Sequence, residues 1–481
     1  PAYTSAGLYH PLLLALAFAV FSRFDDLTDR RAALAALAGG ALLALWGLVQ
    51  VGVLGTARAH AFFETPATYA AVLNLILVPM LVLALVRRIG AYALLFGVLL
   101  AGGSFASASR GGLVALAAGI AAGAILAHRS GQLQQRRILV VVSLLAAGSL
   151  LAAGLRTLPL ASGGPRGALP SEQGQAESSL SRLELYGASW QAWQGRPLAG
   201  TGYLTFRYVL ERERGSVPSY GETSETWFAH NDYLQTLQEL GPAGLAGLVV
   251  LAWLPVVLVL RRLRGAPVAE RPAVVAAASA ATAMAVHALV DFPFYVPACL
   301  LLYGALLGTL DRRLAMASVP GALPAARASW ARGVRAGVAV IAAIVLLRPV
   351  LAEAAAEWGL QRYGAQQAQS AAFWLETARR LDPADWRYHQ YAGLFWDGVA
   401  SASGSADAAR YASAAFAAGV AANPLEVRNL LGLIAVHRVH ARLLDAPADR
   451  ATREAWVARA EALAPYNAAV RRERALLESA R

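Results

Sequence analysis

The chain has 481 residues, of which 57% are hydrophobic and only 15% charged, and its mean hydropathy is +0.47. This composition predicts an integral membrane protein, because apolar runs of about 18 residues or more read as bilayer spans. All 42 basic residues are arginine, and they outnumber 30 acidic residues to give a net charge of +12. Much of this charge lies in short loops between apolar runs, which argues against nucleic acid as a partner. The single cysteine, Cys299, excludes an internal disulfide.

The apolar runs predict an all-α, polytopic helix bundle with about ten spans. They lie at roughly 7–22, 32–54, 68–86, 89–107, 111–128, 138–155, 242–260, 272–290, 292–310 and 333–351. Arginine-containing loops lie at 23–31, 87–88, 129–137, 261–271 and 312–335. If each run crosses once, these loops share one side, which the positive-inside rule assigns to the cytoplasm. We also expect further residues upstream of Pro1, because the chain begins close to a span without Met.

The other connections then face outside, and one of them is unusually long. It runs from 156 to 241 and contains three Trp, seven Arg and a single His, His230, close to its return into the membrane. We therefore predict a transmembrane domain at 1–351 that includes the outer loop 156–241. A soluble domain at 352–481 follows on the same outer side.

Three similar phrases mark a repeat in the C-terminal domain. Their prolines, Pro383, Pro424 and Pro465, are 41 residues apart, and each follows an alanine-rich amphipathic helix. Helical-hairpin repeats have this pattern, so we predict a tetratricopeptide-like array of about three units. The alternative is a plain alanine-rich helix bundle. In either form the domain suits binding or positioning better than catalysis.

Two arginines are candidates for chemistry. Arg110 lies in the turn Ser107–Gly112 between two spans, where a permanent charge is expensive unless it is hydrated or paired. Its alternative role is that of an interfacial arginine reaching to water. Arg182 falls in the first turn of a helix predicted at Ser181–Trp193, with Ser181 as cap and Leu183, Tyr186, Trp190 and Trp193 near one face. The following segment, Pro197–Tyr203, is interpreted as a structural turn.

His230 is expected to begin a second amphipathic helix. A neutral histidine outside the membrane can accept a proton from a hydroxyl, although a lone histidine is more often structural. Glu222, Glu225 and Asp232 lie close enough in sequence to orient it or to bind a cation. The histidine and acidic residues lack metal-ligand spacing, so we expect no metal.

Aromatic residues interleave with polar ones around His230, namely Tyr220, Trp227, Phe228 and Tyr233. Aromatic rings with polar neighbours suit the faces of sugars, and they equally suit an interfacial belt.

These motifs, taken in order, resemble the bacterial O-antigen ligase and polymerase superfamily. The resemblance runs from about 55 to 310. It is carried by Phe62–Pro66, the turn Ser109–Gly111, the run from Arg182 to Gly202, the string His230–Leu234 and the corner His287–Pro293. The C-terminal repeats are similar to those of exopolysaccharide polymerases and some pilin oligosaccharyltransferases in the superfamily.

The resemblance implies a bacterial inner-membrane glycosyltransferase with a periplasmic site, an undecaprenyl-diphosphate-linked glycan as donor and no cofactor. Its functional trio corresponds to Arg110, Arg182 and His230. Arg58 and Arg207 are weaker candidates for diphosphate or sugar contacts. We further expect substrate contacts from three residues near His230, namely Trp227, Asn231 and Tyr233.

The acceptor stays open at this point between a glycan, a lipid A core and a protein. A protein O-oligosaccharyltransferase is therefore the close alternative to a polysaccharide polymerase or ligase. A transporter of the lipid-linked glycan should show charged or broken helices at mid-membrane, whereas the charges here lie at span ends. A non-catalytic scaffold, with the repeats binding other polysaccharide-assembly proteins, would tolerate loss of the trio.

Overall fold

A computed structural model describes residues 2–63, 65–157, 172–213, 226–316 and 347–479. Within these ranges the chain is helical and contains no strand, as the sequence predicts. Contacts between Cα atoms divide it into two compact units. The membrane unit comprises 10–201 and 228–325, and the repeat unit comprises 1–9, 202–227 and 326–481. The predicted domains at 1–351 and 352–481 stay a prediction; in the division by contacts, 202–227 groups with the C-terminal helices.

Most helices of the first two-thirds of the chain follow the apolar runs. In chain order the helices are α1 (Ala2–Phe21), α2 (Asp26–Gly52), α3 (Pro66–Val86), α4 (Ala91–Ala106), α5 (Arg110–Arg129), α6 (Gln135–Thr157), α7 (Glu172–Gly195), α8 (Phe206–Glu213), α9 (Asp232–Arg262), α10 (Arg271–His287) and α11 (Pro297–Met316). Of these, α7 and α8 lie in the long polar loop.

In the described ranges, five helices are long and apolar enough to cross a membrane: α2, α3, α5, α6 and α9. Two apolar helical segments are shorter, namely α4 and the part of α1 from Tyr9 to Phe21. Predicted span 292–310 is wrong at its start, because residues 293–295 form a 3-10 turn and α11 begins only at Pro297. Most of predicted span 333–351 lies outside the described residues.

Helix α3 forms the centre of the membrane unit. It begins at Pro66, and the Thr65 hydroxyl accepts a hydrogen bond from the Thr68 amide at 3.1 Å, which satisfies one of the free amides of the first turn. Its most apolar stretch is 89% buried, against 22–39% for the other four long helices. Helices α4, α5, α6 and α10 pack against it. The end of α4, the start of α5 and the end of α10 thereby belong to helices that share one central element.

The C-terminal helices of the repeat unit pack as successive pairs. They are α12 (347–364), α13 (Ala368–Leu381), α14 (Trp386–Ser403), α15 (Ala406–Ala422), α16 (Val427–Val439), α17 (Arg450–Leu463) and α18 (Ala468–Ser479). Helices α13, α15 and α17 end two residues before the repeated prolines, so the 41-residue sequence period is also a period of helix ends. The assignment to the tetratricopeptide type stays a prediction.

Candidate active site

The turn between α4 and α5 presents Arg110 at the end of a capped helix. The Ser109 hydroxyl accepts from the Gly112 amide at 3.1 Å, and the Ser107 hydroxyl accepts from the Ser109 amide at 3.1 Å. Arg110 is exposed on the first residue of α5. A helix N-terminus carries partial positive charge and stabilises anions, so a cation there costs stability in the free helix. The arrangement suits an anionic ligand.

Two further arginines donate hydrogen bonds to backbone carbonyls at this turn and just before it. The Arg58 guanidinium donates to the carbonyls of Ser107 at 2.9 Å and Ala108 at 3.2 Å. Arg156, at the end of α6, donates to the carbonyl of Ala106 at 2.8 Å. Arg58 therefore binds the backbone of the Ser–Arg–Gly turn, by which we mean residues Ser107–Gly112, and Arg156 binds the residue that precedes it.

The charges of the arginines act on one another. Burial lowers the pKa of Arg58, and the positive charges of Arg182, Arg110 and Arg156 lower it further. Asp291 acts in the opposite direction. The sequence predicted Arg58, Arg110 and Arg182 as parts of one site, and the structure brings their charges together. It adds Arg156, which the sequence analysis did not select. We call these four residues the arginine cluster.

A histidine and an aspartate form the second part of the site. His230 Nδ1 lies 3.0 Å from Asp291 Oδ1, and the Asp291 side chain is only 3% exposed. An Nδ1–H that donates to the carboxylate leaves Nε2 with a lone pair. With 20% of its side chain exposed, His230 is accessible to a substrate hydroxyl. This pair can therefore act as an oriented general base.

Asp291 is held in its ionised form. Burial raises its pKa, but the hydrogen bond and charge of His230, followed by the charges of His287 and Arg182, outweigh burial and leave the pKa below its ordinary value. The nearest atom of the buried His287, Nε2, is 3.7 Å from Asp291 Oδ2, which is too long for a hydrogen bond. His287 therefore packs beside Asp291, and it acts on Asp291 by charge only when its imidazole is protonated.

Local contacts fix the position of His230. Its backbone is left-handed, with φ of 55°, and its ring lies edge-on to Phe292 with centroids 5.1 Å apart. The Tyr186 hydroxyl of α7 donates to the His230 carbonyl at 3.0 Å. Arg182 is one helical turn before Tyr186, so the two side chains lie on the same face of α7. This helix thus brings Arg182 to the histidine.

The Ser–Arg–Gly turn and the corner His287–Pro293, which contains Asp291, are in direct contact through Gly111. A Cβ atom at Gly111 would lie 2.8 Å from Val290 Cγ2 and 3.7 Å from the His287 ring. The absence of a side chain lets the start of α5 approach the corner that carries Asp291. Arg110 and the His230–Asp291 pair are consequently close neighbours within one unit.

The structure corrects two local predictions. Helix α9 begins at Asp232 with Asn231 as its cap, so His230 precedes the helix instead of beginning it. Helix α7 begins at Glu172, which places Ser181 inside the helix, and its buried face contains Leu185, Ala188 and Ser189. The exposed Leu183 and Trp190 lie two helical turns apart on the opposite face.

Of the three acidic residues that sequence proximity suggested as partners of His230, only Asp232 lies within the described residues, and it has another partner. The Asp232 carboxylate accepts from the Phe294 amide at 2.8 Å through Oδ2, and its Oδ1 has no hydrogen-bond partner in the described part of the chain. Glu222, Glu225 and Tyr220 lie outside the described residues. Asp291, 61 residues from His230, takes the orienting position. The recurrent corner His287–Pro293 was the sequence signal that pointed to it.

The remaining predicted contacts divide between the two units. In the membrane unit, Asn231 caps α9 by accepting from the Leu234 amide at 3.0 Å, and the Tyr233 hydroxyl donates to the Ala285 carbonyl at 3.0 Å. Arg207 and Trp227 belong to the repeat unit. All four roles in substrate binding stay predictions.

The predicted turn at Pro197–Tyr203 is present and packs against α9. Gly200 has φ of 69°, and a Cβ there would overlap the backbone of Glu239. The Thr201 amide donates to the Gln238 carbonyl at 2.9 Å. The turn thereby attaches the end of α7 to the helix that follows His230.

Across the described ranges, no group of three or more His, Cys, Asp or Glu side chains could hold a metal ion. The buried acidic groups of the site have protein partners instead. Among them, Glu239 accepts from the Tyr295 hydroxyl at 2.8 Å and from the Gln235 amide at 3.1 Å.

Comparison with known proteins supports the assignment that the motifs suggest. Residues 95–249 match a family model described as O-antigen ligase. That segment includes Arg110, Arg182 and His230. No curated protein matches the chain. Together with the ordered motifs and the helical membrane fold, this match to about a third of the chain supports the resemblance to the O-antigen ligase and polymerase superfamily, and with it a membrane glycosyltransferase of the ligase or polymerase type.

Proposed function

We propose that this protein transfers a glycan from an undecaprenyl-diphosphate donor to a sugar hydroxyl, as an O-antigen or exopolysaccharide polymerase or ligase. The observation that carries the proposal is the contact between the Ser–Arg–Gly turn and the His230–Asp291 corner. Such a transfer requires a base for the acceptor hydroxyl and a cationic cluster that binds the departing diphosphate.

The acceptor end of the reaction belongs to His230. Its Nε2 atom takes the proton of the acceptor hydroxyl as the acceptor oxygen forms a bond to the anomeric carbon. Asp291 keeps Nδ1–H oriented and stabilises the imidazolium that results. Attack from the face opposite the leaving group inverts the anomeric configuration.

The donor end belongs to the arginine cluster. The bond from the anomeric carbon to the diphosphate oxygen breaks, and its electron pair leaves with the diphosphate. Arg110 and Arg182 donate to the oxygens on which this charge develops, while Arg58 and Arg156 hold the turn. The protein side chains supply the charge, so the step needs neither a metal nor a nucleotide.

Arginine placement supports an inner-membrane location with the site on the periplasmic side. The predicted cytoplasmic loops, such as 23–31 and 129–137, are rich in arginine, as the positive-inside rule expects of that side. An undecaprenyl-diphosphate donor in the outer leaflet would meet Arg110 at the membrane edge.

The test is a transfer assay with the purified full chain in nanodiscs and an undecaprenyl-diphosphate glycan. We expect Arg110→Ala, Arg182→Ala and His230→Ala each to reduce transfer by about 10²-fold or more, as loss of a transition-state donor or base does. Arg196→Ala is the matched control, because Arg196 is exposed in the same loop and outside the cluster. Normal transfer by all three site variants would refute the mechanism.

Product analysis separates the acceptors. A ladder of sizes indicates a polymerase, a single added block a ligase, and a mass shift on a protein an O-oligosaccharyltransferase.

A further inference from the structure

The repeat unit contains an open cleft at the place where α8 meets the turns after α15 and α17. Trp227, Arg207, Leu210 and Glu211 line it from the loop, and Arg428 and Asn467 line it from the repeats. All of these residues belong to the repeat unit. The cleft therefore uses loop residues that the sequence predicted as substrate contacts, outside the unit that contains His230 and Asp291.

The wall of the cleft is held by paired polar and aromatic groups. Arg207 forms an ion pair with Glu426, whose side chain is 3% exposed. Its guanidinium lies 4.2 Å from the centre of the Trp227 ring and 4.9 Å from that of Trp386. The Asn423 amide donates to the Tyr208 hydroxyl at 2.7 Å. These contacts fix α8, and with it Arg207, against the repeats.

Trp227 is the unusual member of this wall. Arg207 covers part of its ring, yet 42% of the residue is exposed. A supported indole presents a rigid apolar surface to water, and carboxylate, amide and guanidinium groups beside it can exchange hydrogen bonds with hydroxyls. The apolar C–H face of a pyranose matches the indole ring, and its hydroxyl groups match the polar groups beside the ring.

The charges of the cleft limit which saccharide fits. Arg207 and Arg428 are balanced in number by Glu211 and Glu426, and Glu426 contacts both arginines. A cleft with balanced charge has no net attraction for a polyanion. It favours a neutral pyranose over a phosphorylated or highly acidic sugar.

We propose that this cleft is a glycan-binding subsite that holds a neutral pyranose of the acceptor chain against Trp227. The proposal rests on the proposed function, because it takes the acceptor to be a glycan. It gives the repeat unit a role in holding substrate, separate from the chemistry at His230.

The test is a binding titration of the full chain in nanodiscs without donor. The probe is the reducing oligosaccharide released by mild acid from the lipid-linked glycan of the cells that make this protein, and binding is followed by saturation-transfer NMR. We expect Trp227→Ala to weaken binding about tenfold. Trp227→Phe keeps a stacking ring and should retain most of the affinity. Trp190→Ala, which removes a tryptophan 46% exposed in the membrane unit, should bind like the parent.

Unchanged affinity in Trp227→Ala, or an equal loss in Trp190→Ala, would overturn the subsite. Thermal unfolding of each variant distinguishes loss of binding from loss of fold, and a folded Trp227→Phe that binds while a folded Trp227→Ala does not supports the subsite. Binding is measured without turnover, so a His230→Ala variant that still transfers glycan would refute the proposed function and leave the binding result intact.

Discussion

Replacing Asp291 by Asn tests the His230–Asp291 pair most directly. The substitution preserves size and removes the charge that faces the imidazolium. Charge centres about 4 Å apart at an effective dielectric constant of about 20 interact by about 4 kcal/mol, or a factor of about 10³. His230 is partly exposed, so solvent screening reduces this value. We expect transfer to fall by about 10²- to 10³-fold.

The control is the same change at Asp232, which is buried and two residues from His230 but bonds to the Phe294 amide. Asp232→Asn should affect thermal stability more than the rate of transfer. The assay compares single-turnover rates in nanodiscs for both variants. If Asp291→Asn transfers within about twofold of the parent, or Asp232→Asn loses more, the orienting role of Asp291 is wrong.

The pH dependence of this prediction follows from the lowered pKa of Asp291. The carboxylate is ionised in the folded protein at all pH values above its ordinary pKa, and its contribution to stability is fully present there. That contribution is lost only as the pH falls through the lowered pKa of the folded state. The difference in thermal stability between parent and Asp291→Asn should therefore stay constant from pH 8 to about pH 5 and shrink below about pH 4. A difference that disappears already near pH 6 would contradict the assignment.

Two further substitutions test how the site is supported. Gly200→Ala places a methyl group against the Glu239 backbone, so the melting temperature of this variant should fall well below that of Gly131→Ala. Gly131 is the control because its φ is also 69° but no atom lies within 4 Å of the added methyl group. Equal melting temperatures would exclude packing as the reason for glycine at position 200. Arg58→Lys removes the guanidinium group that donates to two carbonyls of the Ser–Arg–Gly turn. We expect donor binding to weaken by about 1.5–3 kcal/mol, measured as a raised donor KM with little change in kcat. An unchanged donor KM would show that the turn does not need Arg58.

Sequence patterns predicted the fold well where each pattern is local. Hydropathy located the helices of the membrane unit, because a bilayer span must be apolar along its length. The 41-residue proline period located the ends of α13, α15 and α17. The start of α9 was missed by two residues, because the Asn231 side chain caps the helix and leaves His230 outside it in a left-handed conformation.

The candidate site was less accessible to sequence reasoning because it depends on long-range contacts. Arg110, Arg182 and His230 could be selected from their residue types and order. Asp291 could not be paired with His230 by spacing, since 61 residues separate them and Asp232 is the nearer acid. The pairing results from the approach of the α10 corner to the end of the loop, where the Asp232 amide donates to the carbonyls of Ala288 and Asp291.

The electrostatics of the arginine cluster indicate what kind of ligand it serves. Burial and then the positive charges of Arg182, Arg110 and Arg156 lower the pKa of Arg58, and the negative charge of Asp291 opposes them. Asp291 is itself paired with His230. A ligand with two or more negative charges would relieve this repulsion, whereas a neutral acceptor would not. We therefore infer that the cluster binds the diphosphate of the donor, and that donor binding stabilises the turn which positions Arg110 beside the base.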